Sequence, residues 1–459
     1  MDKLEKLRPA GRLEQCSTAR HALGFYNNVA VTASYSLPES YTLSVKDYVY
    51  KVCEILIGQH PILSAIPVGE DTKEPYFARL PEVDLSTPVS FQARTGPFPG
   101  PDEADSELDA VLQAQHNTPF EAPSPHWRLH VLTHPAENRR FTAAFVFHHA
   151  IGDGTSGKAF HRTFLQALHS IASLPPGEAQ QLIRSPQSPL LPNMEELHPL
   201  PLSIPFLAGA LFREKIWSST DPGLWAGSEV RLPLETNVRH VVIPKAVASS
   251  FRDSCRQNDT TITAALQTLI ARAILTHAPE HFTSVHFSGA MSTRRWMPDS
   301  ITDDSIGVWV QDYSEDYTRK AVTSETFPWA EARRSRETIE KVLQLKGKNA
   351  GPNLLKYVGD FHEELYRSKV GKPRKASFEV SNIGALGVGE QEAERPQIGR
   401  LVFSQSASVT GSAIEVSVAS GGDGCLVLAF TWQTDVVDAT LMASVIEQAT
   451  REVHGVCTL

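Results

Sequence analysis

A chain of 459 residues, 41% hydrophobic and 21% charged, has the make-up of ordinary globular material and can bury large cores. The length exceeds that of a typical single domain and predicts two. The net charge of -9 provides no basic footprint, which argues against a nucleic acid partner. Five scattered cysteines, Cys16, Cys53, Cys255, Cys425 and Cys457, contain no C-x-x-C pair and indicate a reducing compartment. Residues 1–15 are charged and lack an apolar signal core, and no segment runs long enough without charge to span a bilayer. The expected location is the cytoplasm.

Along the chain, residues 26–37 have strand character and residues 44–57 read as a helix, which Pro61 ends. Strands are predicted over 127–133 and 140–147; the second (RFTAAFVF) is uncharged after its first position and reads as buried on both faces. Gly152 and Gly154 break it. From 155 to 171 the apolar positions Ala159, Phe160, Phe164, Leu165, Leu168 and Ile171 recur at three- and four-residue steps, which predicts an amphipathic helix. Residues 174–234 are rich in proline and weakly periodic, as expected of a long crossover between domains. Within it, residues 206–217 form a short helical stretch, with a lid or packing role preferred over membrane association. The second half resumes with a strand at 239–243, a helix at 244–256 and the most hydrophobic helix at 260–275. Strands follow at 281–291, 306–311, 377–380, 401–405, 413–420 and 425–432, before a closing helix at 438–453. The prediction is an α/β fold with mixed sheets: a domain at 1–185, a linker at 186–234 and a second domain at 235–459.

One junction stands out. Phe147-His148-His149-Ala150-Ile151-Gly152-Asp153-Gly154 sits where a core strand gives way to a loop and a helix. Adjacent residues of an extended chain point in opposite directions, so only one of the two histidines can face a cavity. A positioned imidazole is a natural general base, because its pKa lies near neutrality. Asp153 either orients that histidine directly or ties the loop to a cation elsewhere; followed by Gly, Thr and Ser, it also has the form of a helix N-cap. No metal is expected, since neighbouring histidines diverge and no Cys or His-x-x-x-His spacing accompanies them. Gly152 lets the loop turn tightly and leaves space beside His149. Ser381 and Asn382 interrupt an apolar strand, facing either a turn or a cavity, and Ser404, Gln405 and Ser406 end another in the same way.

The His148-His149-x-x-x-Asp153-Gly154 motif, in a chain of this length, resembles the superfamily of CoA-dependent acyltransferases that includes chloramphenicol acetyltransferase and peptide condensation domains. Within it, the chain looks most like the fungal alcohol O-acetyltransferase family. The similarity runs through Arg8-Pro9, Leu13-Glu14, Arg20 to Asn28, His60-Pro61-Ile62-Leu63, Ser292-Thr293-Arg294-Arg295, Ile306-Gly307 and Phe378 to Gly384. An Asp-Phe-Gly-Trp-Gly segment, typical of the plant branch, is missing; Gly421-Gly422-Asp423-Gly424 has the form of a hairpin turn.

What the resemblance implies is specific. Two chloramphenicol acetyltransferase-like domains enclose a tunnel, CoA enters from one side and the acceptor from the other, and His149 is the general base at the midpoint. Asp153 points away and pairs with an arginine of the other half, Arg294 or alternatively Arg295. His148, Gly152 and Gly154 support the motif, and Ser381, Asn382, Ser404 and Ser406 are candidates for tunnel or oxyanion contacts. The expected co-substrate is acetyl-CoA or another acyl-CoA, with no tightly bound cofactor. The expected partner is a small-molecule hydroxyl acceptor, and the expected state is a monomer. Amide formation or cyclisation of the condensation type, and a non-catalytic binding role, are the alternatives.

Overall fold

The protein was analysed as a computed structural model that describes residues 4–215, 221–389 and 391–456. The first half contains β1 (Glu5–Pro9), α1 (Arg12–Ala22), β2 (Val29–Ser36), α2 (Val45–Gln59), β3 (Ala65–Val68), β4 (Tyr76–Arg79), β5 (Glu82–Asp84), β6 (Val89–Ala93), α3 (Ser106–His116), β7 (Trp127–Thr133), β8 (Arg140–Phe147) and α4 (Gly154–Ser170). The crossover carries β9 (Leu182–Arg184), α5 (Met194–Leu197) and α6 (Ile204–Lys215). The second half contains β10 (Thr236–Ile243), α7 (Lys245–Gln257), α8 (Ile262–His277), β11 (Ser284–Ser292), β12 (Val310–Thr318), α9 (Arg319–Val322), α10 (Trp329–Gln344), α11 (Phe361–Leu365), β13 (Phe378–Ala385), β14 (Gln397–Gln405), β15 (Ile414–Ser420), β16 (Leu426–Gln433) and α12 (Ala439–Gly455).

Two mixed sheets organise these elements. The first has the order β14-β2-β8-β7-β6 and the second the order β10-β16-β15-β13-β11-β12. Strand β8 is central in the first, as its unbroken apolar run requires. Phe145 stacks on Phe160 of α4 with ring centroids 3.7 Å apart. Helix α4 also presses directly onto β2: a Cβ added at Gly157 would lie 2.3 Å from Val31 Cγ2. In the second half, α8 is buried almost all round, packed with α10, α12 and the sheet. That environment explains its lack of a polar face.

One strand departs from the chain order. β14 belongs to the second half of the sequence but pairs antiparallel with β2, with Gln405 opposite Val29. A second irregularity opens the other sheet. β11 and β13 pair only at Phe287↔Phe378 and Ser288↔Glu379, after which each continues with another partner. The gap they leave is lined by Ala290, Met291 and Ser292 on one side and Ser381, Asn382 and Ile383 on the other.

Several predicted elements differ from the observed ones. The strand expected at 306–311 begins only at Val310 and runs to Thr318. Backbone groups just before it are drawn out of the sheet, since Gly307 O accepts from Asp153 N and Trp309 N donates to Asp153. The rest of β12 is an edge strand whose exposed charges mask its alternation. β13 continues past Val380 through Ser381 and Asn382, so these residues stand in the sheet rather than in a turn. The strands expected at 239–243 and 401–405 begin earlier, at Thr236 and Gln397. Helices α3 and α10 and the small sheets β1-β4-β3 and β5-β9 were not predicted. The crossover helix is found at Ile204–Lys215, and residues 216–217 of the expected stretch lie outside the described residues. Among the described residues, no helix is long and apolar enough to cross a membrane.

The tight seat of α4 makes Gly157→Ala informative. Alanine is ordinarily favoured over glycine within a helix, but here the methyl group meets Val31. Denaturant unfolding is expected to show a loss of about 1–3 kcal/mol, as for overpacked cores; a gain in stability would contradict the packing.

Candidate active site

Strand β8 ends at Phe147, and the two histidines that follow diverge. His148 is buried, whereas His149 lines a cavity of about 810 Å³ that also reaches the gap between β11 and β13. The His149 ring lies 5.8 Å from that of Tyr26, tilted by 60°. Its Nδ1 is enclosed without a partner in full hydrogen-bond geometry, although the residue's own carbonyl favours the charged ring electrostatically. Burial, assisted by the charge of Arg20, outweighs that carbonyl and Asp153 and lowers the His149 pKa to about 3. The ring is neutral at physiological pH.

Asp153 combines two of the roles open to it. It is the N-cap of α4, with Oδ1 accepting from Ser156 N at 2.9 Å. It also forms a bidentate pair with Arg294, at 2.7 Å from Nη1 to Oδ2 and 3.0 Å from Nη2 to Oδ1. Trp309 N donates to Oδ2 at 3.1 Å, and Arg294 Nη2 further donates to Ser156 Oγ and Ser305 O. Both side chains are nearly inaccessible to solvent. Arg295, the alternative partner, is exposed and lines the cavity.

His148 belongs to a separate cluster. Its Nδ1 accepts from Ala150 N at 2.9 Å, so its Nε2 carries the proton and faces Glu70 Oε2 at 3.5 Å. His21 does the mirror image: Nε2 accepts from Phe120 N at 3.1 Å, and Nδ1 donates to Glu70 Oε2 at 2.7 Å. His126 Nε2 lies 3.3 Å from Glu70 Oε1. Burial opposes ionisation of Glu70, but His148 above all, with hydrogen bonds from His126, His148 and His21, holds its carboxyl well below the usual range. His21, Glu70 and His148 are close enough together to suggest a metal site. The chemistry does not fit one, because a ring whose other nitrogen already accepts a backbone N–H has no second lone pair to give.

The remaining predicted residues separate into two groups. Ser381 and Asn382 line the cavity; Asn382 Nδ2 donates to Thr263 Oγ1 at 3.0 Å and its Oδ1 accepts from Gly384 N at 2.8 Å. Ser404 and Ser406 do not reach it. Ser404 Oγ meets His116 Nε2 at 2.8 Å, and Ser406 Oγ accepts from Asn27 N at 3.0 Å, so the end of β14 and the residue after it are tied to the first half instead. Gly152 is required for a reason other than open space at His149: an added Cβ would meet Ser156 at 2.8 Å and Phe147 at 3.2 Å. At Gly154 it would meet Ile383 at 2.7 Å. Sequence reasoning missed Glu70, His21 and His126, which have no mutual spacing, and the cavity residue Glu379. Gln405, noted only as a strand end, also lines the cavity.

Comparison with known proteins gives these features a context. Residues 102–446 match the alcohol acetyltransferase family. The chain belongs to that family. A probable alcohol acetyltransferase of Aspergillus fumigatus, crmB, is 35% identical over 94% of this chain and 96% of its own. Another, FCK4 of Fusarium pseudograminearum, is 25% identical over 96% of this chain and 93% of its own. Among solved structures, the TRI3 trichothecene 15-O-acetyltransferase from Fusarium sporotrichioides superposes with a TM-score of 0.74 at 13% identity, covering 98% of this chain and 94% of that one. The condensation domain of the monacolin K polyketide synthase MokA gives a TM-score of 0.63 at 10% identity, covering 99% and 98%. The two-lobed condensation-domain fold and the acyltransferase class are thereby established, as the resemblance implied.

Two outcomes follow from the site's electrostatics. Removing one partner of a buried ion pair strands the other, so Arg294→Ala should cost about 3–5 kcal/mol in denaturant unfolding, while Arg295→Ala should unfold like the wild type. The second concerns acid. Burial lowers His60, His130 and His161 to about 4, and His116, His148 and His149 to about 3. The unfolded chain, with imidazoles near 6.5, binds more protons than the folded one over that interval. Stability from these rings is complete above about pH 6.5 and is lost as pH falls toward 4. A melting temperature that does not drop between pH 7 and pH 5 would contradict their burial in the neutral form.

Proposed function

We propose that this acyltransferase moves the acetyl group of acetyl-CoA directly onto a hydroxyl of a small-molecule alcohol or secondary metabolite, with His149 as general base. The observation that carries this is a neutral imidazole on the wall of a large cavity, on a loop anchored by Asp153 and Arg294 from the two halves of the chain. A neutral ring with its proton on Nδ1 leaves the Nε2 lone pair for the substrate. As the acceptor oxygen attacks the thioester carbon, its proton passes to Nε2. The tetrahedral oxyanion then collapses, the C–S bond breaks, and Nε2–H returns the proton to the departing CoA sulfur. No acyl-enzyme forms. Acid-base help of this kind accounts for roughly a hundred- to ten-thousand-fold, and positioning of the two substrates and donors toward the oxyanion supply the remainder. Ser381, on the cavity wall, is the favoured side-chain donor.

Asp153 and Arg294 hold the loop; His148 supports it through Glu70. The acyl-CoA is a diffusible co-substrate, and the enzyme works as a monomer in the cytoplasm, in keeping with its scattered cysteines.

The test is CoA release from acetyl-CoA in the presence of a panel of alcohols. His149→Ala should reduce turnover by roughly a hundred- to ten-thousand-fold with the melting temperature preserved, and undiminished turnover would remove the base from His149. The pH profile gives an independent check. Because the active neutral ring persists down to a pKa of about 3, kcat/KM should show no acid limb at the ordinary imidazole value over the range in which the protein stays folded.

A further inference from the structure

The face of the second sheet that borders the cavity carries two carboxyl groups side by side. β13 and β15 run parallel with Glu379 in register with Glu415, and strands paired in this way lie about 4.8 Å apart. Val380 and Val416, the next residues along, turn into the hydrophobic core beneath the helices, so Glu379 and Glu415 share the opposite face. Glu415 is only 3% exposed, whereas Glu379 reaches the cavity.

A chain of hydrogen bonds joins this pair to the surroundings of His149. Glu379 Oε1 accepts from Gln405 Nε2 at 3.3 Å, Gln405 Oε1 accepts from Tyr26 OH at 3.1 Å, and the Tyr26 ring flanks His149. Arg20, lying over the Tyr26 ring, and Arg374, which donates to Ser408 O and Gly411 O, act on the carboxyls only at longer range. Two buried carboxyls this close cannot both ionise. Burial raises both, and Glu415 is raised further by its neighbour.

Glu415, pushed up further, keeps its proton, which leaves Glu379 as the acceptor that faces the cavity, and the wall around the pair is short of partners. Glu415 Oε2 and Ser417 Oγ are buried with none. Ser417 is in register with Ser381, which lines the cavity. An alkyl chain lying against Glu379 would strand its carboxylate, and a site built to meet a hydroxyl discriminates strongly against a ligand lacking one.

We propose that the acceptor alcohol is a polyoxygenated molecule, and that Glu379, backed by Glu415, accepts a hydrogen bond from a second hydroxyl close to the reacting one. Glu379 is then a specificity-determining residue. The assignment rests on the transferase function proposed above and adds the acceptor's chemical class.

Cyclohexanol and trans-cyclohexane-1,2-diol differ by that one oxygen. With the full chain and acetyl-CoA, kcat/KM for CoA release should favour the diol by about tenfold, the worth of one net hydrogen bond, with the difference lying in KM. Glu379→Gln retains an acceptor oxygen and should keep the preference; Glu379→Leu should abolish it at unchanged melting temperature. Wild-type enzyme that shows no preference for the diol overturns the assignment without recourse to any variant, as does a preference that survives Glu379→Leu. Release with neither alcohol overturns the transferase function and this assignment together, whereas release without preference overturns this assignment alone.

Discussion

The buried pair of Asp153 and Arg294 is the constraint on which the rest of the site depends. One carboxylate caps α4, receives a guanidinium from just beyond β11, and accepts the amide of Trp309. Each contact comes from a different part of the chain, and together they fix where the His149 loop lies relative to the second sheet. Such a pair is a poor source of net stability, because taking two charges out of water costs about what their attraction returns. Its value is geometric. The loop has one arrangement in which both carboxylate oxygens and both terminal guanidinium nitrogens of the pair are met, and alternatives leave a charge bare.

The two histidines of the motif divide their work for the same reason that they diverge. His148 turns inward to Glu70, where a backbone amide fixes its tautomer and a shared carboxylate gathers three imidazoles from separate segments. His149 turns to the cavity and has no comparable partner. A rigid neighbour beside a less encumbered ring is what preorganisation requires: the support shell is spent on the backbone, and under the proposed function the His149 nitrogen stays available for the substrate.

Legibility in the sequence followed the range of the interactions. The β8-loop-α4 unit was readable because its signals are local: an apolar run, two glycines and a 3.6-residue period. Arg294 as the partner of Asp153 came through family resemblance, since no spacing rule links residues so far apart in the chain. Ser404 and Ser406 were misjudged because a polar strand end looks the same whether it faces a cavity or, as here, His116 and the Asn27 amide. β12 was placed too early because Gly307 and Trp309 are recruited to Asp153, and cut short because Asp312 and Asp316 present charge to solvent. Glu70 and Glu379 are half-buried acids with no local signature, and only the fold reveals that each has buried titratable neighbours.

The strand exchange has a consequence for how such a chain can be inherited or dissected. β14 forms the outer edge of the first sheet, covering β2 along its length. Were the halves separated, β2 (VAVTASYS) would become an uncovered, largely apolar edge, the kind of surface that recruits foreign strands. The N-terminal half therefore cannot be traded as an autonomous module, although it carries the whole histidine motif. Duplication, fusion or circular rearrangement of this gene is tolerable only where β14 stays within reach of β2, which ties the two lobes into one evolutionary unit.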